Sequence, residues 1–467
     1  MCGIVAVAGW AHLAPAVLAM DHRGPDARGI TVVGGVRLGH TRLAIQDVDS
    51  RSDQPYTDGA VTISYNGELF NAPRVRSRVE ALDPGRVWHT TGDTEVIAAA
   101  LAVLGPGAAL PLFDGMFAIA WADRDRPGVL FVARDRRGEI PLHVHRAHPV
   151  VVASELKAFT ALGRRCGAAV VDVPPGQWWE IDKAGDITPH AFHRLAPLPM
   201  DVQPLDASKI LRTALSRAVD RRMISDVPVC SLLSGGIDSA VIAYELAQRT
   251  PDLVCYTAVL DPKSRDLRCA RETAEALGLA LVEVKVDVPT ADDLVGVIRH
   301  IEMPFKAQIE IGWPCLALAE RIRSDGFKVT FTGEGSDELW ASYGFAYHGL
   351  QKQDWHTYRR DLILSQAIKN FPRVNKAFMA HGVEGRLPFL DPDVVDFALS
   401  LPRVSVQNGP GQPKAVLQRA YRGDLPSAVI ERPKVAFQDG MGLKTAITTR
   451  LAQPVRYYRA EHRRLYG

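Results

Sequence analysis

The stretch Val227-Pro228-Val229-Cys230-Ser231-Leu232-Leu233-Ser234-Gly235-Gly236-Ile237-Asp238-Ser239 decides the fold of the C-terminal half. Val227 to Leu233 is a short, mostly apolar run, the pattern of a strand buried on both faces. Two glycines then permit a tight turn and a close backbone approach, and Ser239 to Arg249 follows with a helical pattern. Free N–H groups and the positive end of a helix dipole behind such a turn make an anion cradle, to which Ser234 and Ser239 add hydroxyl donors. The loop lacks the lysine of a Walker-type phosphate loop. It carries Asp238 instead, which would repel a phosphate unless a divalent cation lay between them, so Asp238 predicts Mg²⁺.

Downstream the same grammar repeats. Val254 to Leu260, Leu281 to Val286 and Lys328 to Thr332 read as strands, and Ala270 to Leu277 and Asp292 to His300 as helices. Strands alternating with helices imply a parallel sheet covered on both faces, with ligands at the carboxyl ends of its strands. Lys328 to Thr332 runs into Gly333-Glu334-Gly335-Ser336-Asp337-Glu338. Three acids in a turn ordinarily mean solvated surface. After a parallel strand of the same sheet, they make Asp337 the natural second ligand of a magnesium-bound phosphate.

Upstream the pattern is different. Gly3 to Ala8, Val36 to Leu38, Val61 to Tyr65, Phe117 to Trp121, Val129 to Ala133, Val150 to Ala153 and Trp178 to Ile181 read as short strands separated by turns, with Thr94 to Leu104 the clearest helix. This is an α+β arrangement of antiparallel sheets with helices. Ala196 to Pro204 has three prolines in nine residues and no apolar period, which marks a linker. The expected division is 1–195, a linker at 196–204, and 205–467.

Composition narrows the function. Fifty-five basic and 53 acidic residues leave a formal charge of +2, which argues against nucleic acid or an anionic membrane as partner. The cluster Arg134 to Arg137 reads as solvated or phosphate-facing surface. Six cysteines without a CxxC pair point to reduced thiols in the cytoplasm rather than to a structural metal. The apolar N-terminus lacks the basic start of a secretory signal, and no run approaches the ~20 apolar residues of a membrane span.

The N-terminus carries chemistry of its own. Loss of Met1 would expose Cys2, whose α-amine, with a pKa of roughly 7.7 to 8, can take the thiol proton without a histidine. Alone, Cys2 would read as a buried strand residue. Its company is Met1-Cys2-Gly3-Ile4, His22-Arg23-Gly24-Pro25-Asp26, Gly39-His40-Thr41-Arg42-Leu43, Asn66-Gly67-Glu68 and Gly92-Asp93. Together these resemble the class II, N-terminal-nucleophile glutamine amidotransferases, a likeness that covers about residues 1–194. The resemblance implies that Arg42 and Asp93 clamp the carboxylate and amine of glutamine, that Glu68 helps place it, and that Asn66 and the Gly67 amide form the oxyanion hole.

SGGIDS with GEGSDE is similar to the ATP-pyrophosphatase domain of the asparagine synthetase family, over about residues 205–442. That resemblance implies cleavage of Mg·ATP to AMP and pyrophosphate through an acyl-adenylate. Ser234, Gly235, Gly236, Asp238, Ser239 and Gly333 would hold ATP and pyrophosphate, and Asp238 and Asp337 the metal. Glu338 would support adenylate formation, and Lys434, before Phe437, would hold the leaving pyrophosphate. The implied partners are glutamine, ATP and a small carboxylate acceptor; a homodimer is left open.

The acceptor side departs from the family pattern. Trp340-Ala341-Ser342-Tyr343 stands where Phe-Gly-Gly-Tyr is common, and Ala307-Gln308-Ile309-Glu310-Ile311-Gly312 stands where Thr-Thr-Ile-Arg-Ala-Ser is usual. With Glu310, Tyr343 and Glu384 as acceptor contacts, an Arg-to-Glu reversal predicts that free aspartate is not the acceptor and that a larger or less acidic carboxylate is. The competing readings are an ordinary asparagine synthetase, a β-lactam-synthetase-like or lasso-peptide-cyclase-like former of internal amides, and an inactive regulatory homologue. The intact Cys2 site argues against the internal amide former. Cys2, Asp238, Asp337 and Lys434 together argue against a dead homologue.

Overall fold

The structure is a computed structural model that describes residues 1–196, 198–343, 346–408, 412–432, 442–451 and 453–467. Its strands are β1 (Gly3–Ala8), β2 (Ala27–Val33), β3 (Val36–Arg42), β4 (Tyr56–Asp58), β5 (Val61–Leu69), β6 (Gly115–Asp123), β7 (Leu130–Arg134), β8 (His143–His145), β9 (Val151–Ala153), β10 (Val170–Asp172), β11 (Gln177–Ile181), β12 (Ile187–Ala191), β13 (Val229–Leu232), β14 (Val254–Val259), β15 (Ala280–Lys285), β16 (Val329–Phe331) and β17 (Glu384–Arg386).

Two antiparallel sheets, ordered β10-β8-β9-β1-β3-β2 and β12-β11-β7-β6-β5-β4, fill the N-terminal part. They face each other through Ile4, Ala6 and Leu38 on one side and Met116, Ala118, Ala120 and Val132 on the other. Helices cover the outer faces. Leu13, Val17 and Phe159 pack on Val5, Val7 and Val151, and α1 (Asp93–Leu104) lays Val96, Ile97 and Leu101 against Ile63, Ile119 and Trp121. Both faces of the inner strands are thus buried, which is why β1 reads as a continuous apolar run rather than an alternation.

The C-terminal part has one sheet, ordered β15-β14-β13-β16-β17, with every pair parallel. Around it lie α2 (Pro204–Arg222), α3 (Ile237–Ala247), α4 (Arg265–Leu277), α5 (Ala291–Ile301), α6 (Lys306–Ser324), α7 (Asn370–Met379) and α8 (Pro454–Tyr466). The expected α+β then α/β order is therefore present. Among the described residues no single helix is long and apolar enough to cross a membrane.

One surface expectation is overturned. Arg134, Asp135 and Arg137 are buried. Arg134 donates to the carbonyls of Ile140, Val173, Gly138 and Ala367, the last from the C-terminal part. Asp135 accepts the amides of Arg137, Glu139 and Ile140. The segment is an internal clasp because its charges meet backbone groups that would otherwise be unsatisfied.

Candidate functional sites

Cys2 sits at the start of β1, between β3 and β9, with its side chain buried. Its backbone N–H donates to Asn66 Oδ1 at 2.8 Å. Asn66 lies on β5, and its amide nitrogen is 3.5 Å from Ser154 Oγ, which also accepts the Ile4 N–H at 3.0 Å. From the other side, Arg23 Nε donates to the Cys2 carbonyl at 2.8 Å while its remaining nitrogens hold Glu155 and Asn375. The Cys2 backbone is thus held on both sides, by Asn66 at its N–H and by Arg23 at its carbonyl.

A small cleft of about 30 Å³ opens beside the thiol, and Cys2, Arg42, Gly67, Glu68 and Asp93 all line it. Gly67 has φ 151°, and a Cβ there would lie 2.0 Å from the Met116 carbonyl oxygen, so no side chain fits. Arg42 is braced by the Asp49 carbonyl and the Asp53 carboxylate, both at 2.8 Å. Asp93 Oδ2 accepts Tyr65 Oη at 2.9 Å and the Leu69 amide at 2.8 Å. Burial pushes the Asp93 carboxyl up to about 6 despite these bonds. Burial and the neighbouring Glu384 push the Glu68 carboxyl well above its usual range, with Arg386 pulling the other way. Burial also raises the Cys2 thiol, opposed first by the terminal ammonium. A positive group at one end of the cleft and carboxyls at the other suit an α-amino acid.

The second site is a cavity of about 540 Å³ at the carboxyl edge of the parallel sheet. Ser234, Asp238 and Ser239 line it from the β13 loop, and Gly333, Asp337 and Glu338 from the β16 loop. The loops touch: a Cβ on Gly333 would lie 2.7 Å from the backbone of Asp238 and Ser239. At Gly235 a Cβ would meet the Asp266 carbonyl at 2.6 Å, which explains that glycine too. Gly236 is the N-cap of α3.

Asp238 and Asp337, expected from the sequence to share one metal, do converge. Lys414 Nζ lies 2.5 Å from an oxygen of each. Sequence reasoning missed Lys414, because a lone lysine after Pro413 has no local pattern and its role arises only from tertiary approach. It also missed Arg432, whose guanidinium donates to the Gly235 carbonyl at 2.6 Å.

Glu338 is fully buried, accepting Tyr343 Oη at 2.6 Å and Asn370 Nδ2 at 2.8 Å. Burial, with Glu334 and Asp337 nearby, pushes its carboxyl up to about 7. Beyond it the cavity wall comes from α6 and α7, neither anticipated in the sequence. Arg373 pairs with Glu334 at 2.8 Å and with Gln308 Oε1 at 2.8 Å, and Gln308 in turn donates to Asn370 at 2.8 Å.

The expected acceptor contacts separate. Tyr343 lines the cavity, but Glu310 and Glu384 do not. Glu310 is fully buried against Lys306 one turn earlier on α6, at 2.6 Å, so its charge is met within the helix. The expectation assumed that this face of the segment meets the substrate; helical spacing instead gives Gln308, Ile311 and Cys315 to the cavity. Glu384 lies on β17 and holds the Met1 ammonium at 2.9 Å. Lys434 lies outside the described residues.

The chain was also compared with known proteins. A family model described as a glutamine amidotransferase domain matches residues 1–173, and one described as asparagine synthase matches 210–371 and 368–463. The chain is 32% identical to asparagine synthetase B [glutamine-hydrolyzing] of Escherichia coli (strain K12), over 91% of this chain and 78% of that protein. It is 33% identical to the asparagine synthetase [glutamine-hydrolyzing] of Asparagus officinalis, over 95% of this chain and 78% of that one. With these matches spanning both the part that holds the Cys2 cleft and the part that holds the larger cavity, the chain belongs to the asparagine synthetase (glutamine-hydrolysing) family of ATP-driven amidotransferases.

Proposed function

We propose that residues 1–195 hydrolyse glutamine, that 196–204 link them to the rest, and that residues 205–467 adenylate a small carboxylate and convert it to an amide. The observation that supports this reading is that Cys2, Arg42, Gly67, Glu68 and Asp93 line one cleft, with Asn66 bonded to the Cys2 N–H, and that both acid-bearing loops line one cavity. In the first site the Cys2 sulfur attacks the glutamine side-chain carbonyl while the α-amine takes the thiol proton. The tetrahedral oxyanion is held by Asn66 Nδ2 and the Gly67 N–H. Ammonia leaves with that proton, and water hydrolyses the thioester to glutamate and free thiol. Replacing Asn66 with alanine should lower glutaminase kcat by about 10²-fold or more, the usual loss for one oxyanion donor. Steady-state glutamate release measures it, and an unchanged kcat would remove Asn66 from the oxyanion hole.

In the second site the ATP phosphates would occupy the Ser234 to Ser239 loop, and Glu338, Tyr343 and Asn370 would contact the acceptor carboxylate. Asp238 and Asp337 fit Mg²⁺, because their oxygens already converge on a cationic group. With two protein carboxylates, the ion would take its remaining oxygens from ATP and water, as magnesium commonly does. When bound it would neutralise phosphate charge as pyrophosphate departs. Six unbridged, buried thiols support a reducing compartment such as the cytoplasm.

For the acceptor, the pairing of Glu310 with Lys306 and its absence from the cavity lining weaken the charge objection to free aspartate. Aspartate is therefore our first reading, supported by the relatives' names and by Arg373 and Lys369 in the wall. A larger carboxylate is the second, supported by the apolar strip of Ile311, Cys315, Leu318, Val374 and Phe378. Kinetics with aspartate and with a panel of carboxylic acids separate them. An asparagine-forming kcat/KM of about 10⁴ M⁻¹s⁻¹ or better marks a dedicated asparagine synthetase.

A further inference from the structure

We propose that Glu384, a residue of the parallel sheet, is a positioning residue for the glutaminase site: once Met1 is removed, its Oε2 holds the Cys2 α-amine beside the thiol. The proposal rests on the glutaminase reading above and deepens it, since it makes the synthetase half supply part of the other half's active site.

The geometry is specific. Arg386 Nε fixes one oxygen of Glu384 at 2.7 Å, and the other oxygen takes the terminal ammonium of Met1 at 2.9 Å. Arg386 is itself anchored, donating to the carbonyls of Arg222 and Ile224. Glu384 and Arg386 are both fully buried, and β17 is locked by its parallel pairing with β16. The carboxylate therefore cannot swing away to water. Removing Met1 takes its ammonium from Glu384 Oε2 and creates a new amine one residue along, already tethered to Asn66 Oδ1 through the Cys2 nitrogen. Arg386 still holds Oε1, but Oε2 is left as a buried acceptor without its donor, which is disfavoured, so the new amine is drawn to it. Asn66 and Glu384 would then grip the amine from opposite halves of the chain.

The other charged groups facing this corner are Arg23, Arg42 on β3, Glu68 on β5, Asp93 on α1 and Arg386 on β17. His40 on β3 is buried and held neutral by burial and by Arg42. A carboxylate beside an amine stabilises the ammonium form. Removing the carboxylate therefore lowers the amine's pKa, and the amine becomes a free base at lower pH.

The test uses the full-length enzyme with Met1 loss confirmed by intact mass, comparing wild type, Glu384→Gln and Glu384→Asp. Glutaminase kcat/KM is followed against pH, and ammonium-driven synthesis is measured alongside. In the Gln variant glutaminase kcat/KM should fall by about 10- to 100-fold from lost orientation. The rising limb of its pH profile should move down by about one unit. Ammonium-driven synthesis should persist, and the Asp variant should recover part of both glutaminase effects. An unmoved rising limb, equal loss of both activities, or an active enzyme that retains Met1 overturns the proposal. Glutamine hydrolysis by a Cys2→Ala control would instead overturn the glutaminase reading on which it stands.

Discussion

Replacing Cys2 with alanine is expected to lower glutamine hydrolysis by about 10⁴-fold or more, the scale on which losing a covalent nucleophile acts. Synthesis from added ammonium should continue. In the proposed mechanism the thiol enters only the first half-reaction, and Cys2 is not among the residues lining the cavity that would hold ATP. Glutamate release with and without acceptor, and amide formation from ammonium chloride, measure the two halves. Equal loss of both would mean that Cys2 serves the fold. Its fixed backbone, held by Asn66 and Arg23, makes alanine a mild structural change.

The second large effect is expected at the other site. Asp238→Asn should lower amide synthesis by about 10²-fold or more, because a magnesium ion held there would contribute several kcal/mol of phosphate charge stabilisation. Glutaminase activity should remain. Asparagine keeps the size of the side chain and can still meet Ser336 Oγ, which donates to Asp238 at 2.7 Å. What it loses is the negative charge that Lys414 now balances together with Asp337. A titration of synthesis against magnesium should show a weaker dependence on the ion and a lower maximum; an unchanged titration would take Asp238 out of the metal site.

How much of this was legible depended on whether chemistry and local pattern coincided. The β13 loop was readable because a buried strand, two glycines and a helix start are contiguous. The β16 loop was readable because its acids follow another such strand. Cys2 and the Asn66-Gly67 pair were readable only in company, since each alone has an ordinary structural explanation. The strand β17 was invisible: Glu-Gly-Arg has no apolar alternation, and it is a strand because Glu384, Gly385 and Arg386 pair with Val329, Thr330 and Phe331. Helix α6 was obscured by Pro314 in its interior. Without that helix there was no reason to separate Glu310, which pairs with Lys306, from Gln308, which lines the cavity. Lys414 and Arg373 acquire their roles through partners far away in sequence, which no local window contains.

The measurement that tests the central claim most directly is a single turnover balance with glutamine labelled at its amide nitrogen with ¹⁵N, ATP, magnesium and aspartate or an accepted carboxylate. Nucleotide, pyrophosphate and product are read together by mass spectrometry and ³¹P NMR. The expected result is ¹⁵N in the product amide, with AMP and pyrophosphate formed in step with it. ADP as the nucleotide product, or an amide nitrogen that does not come from glutamine, would contradict it.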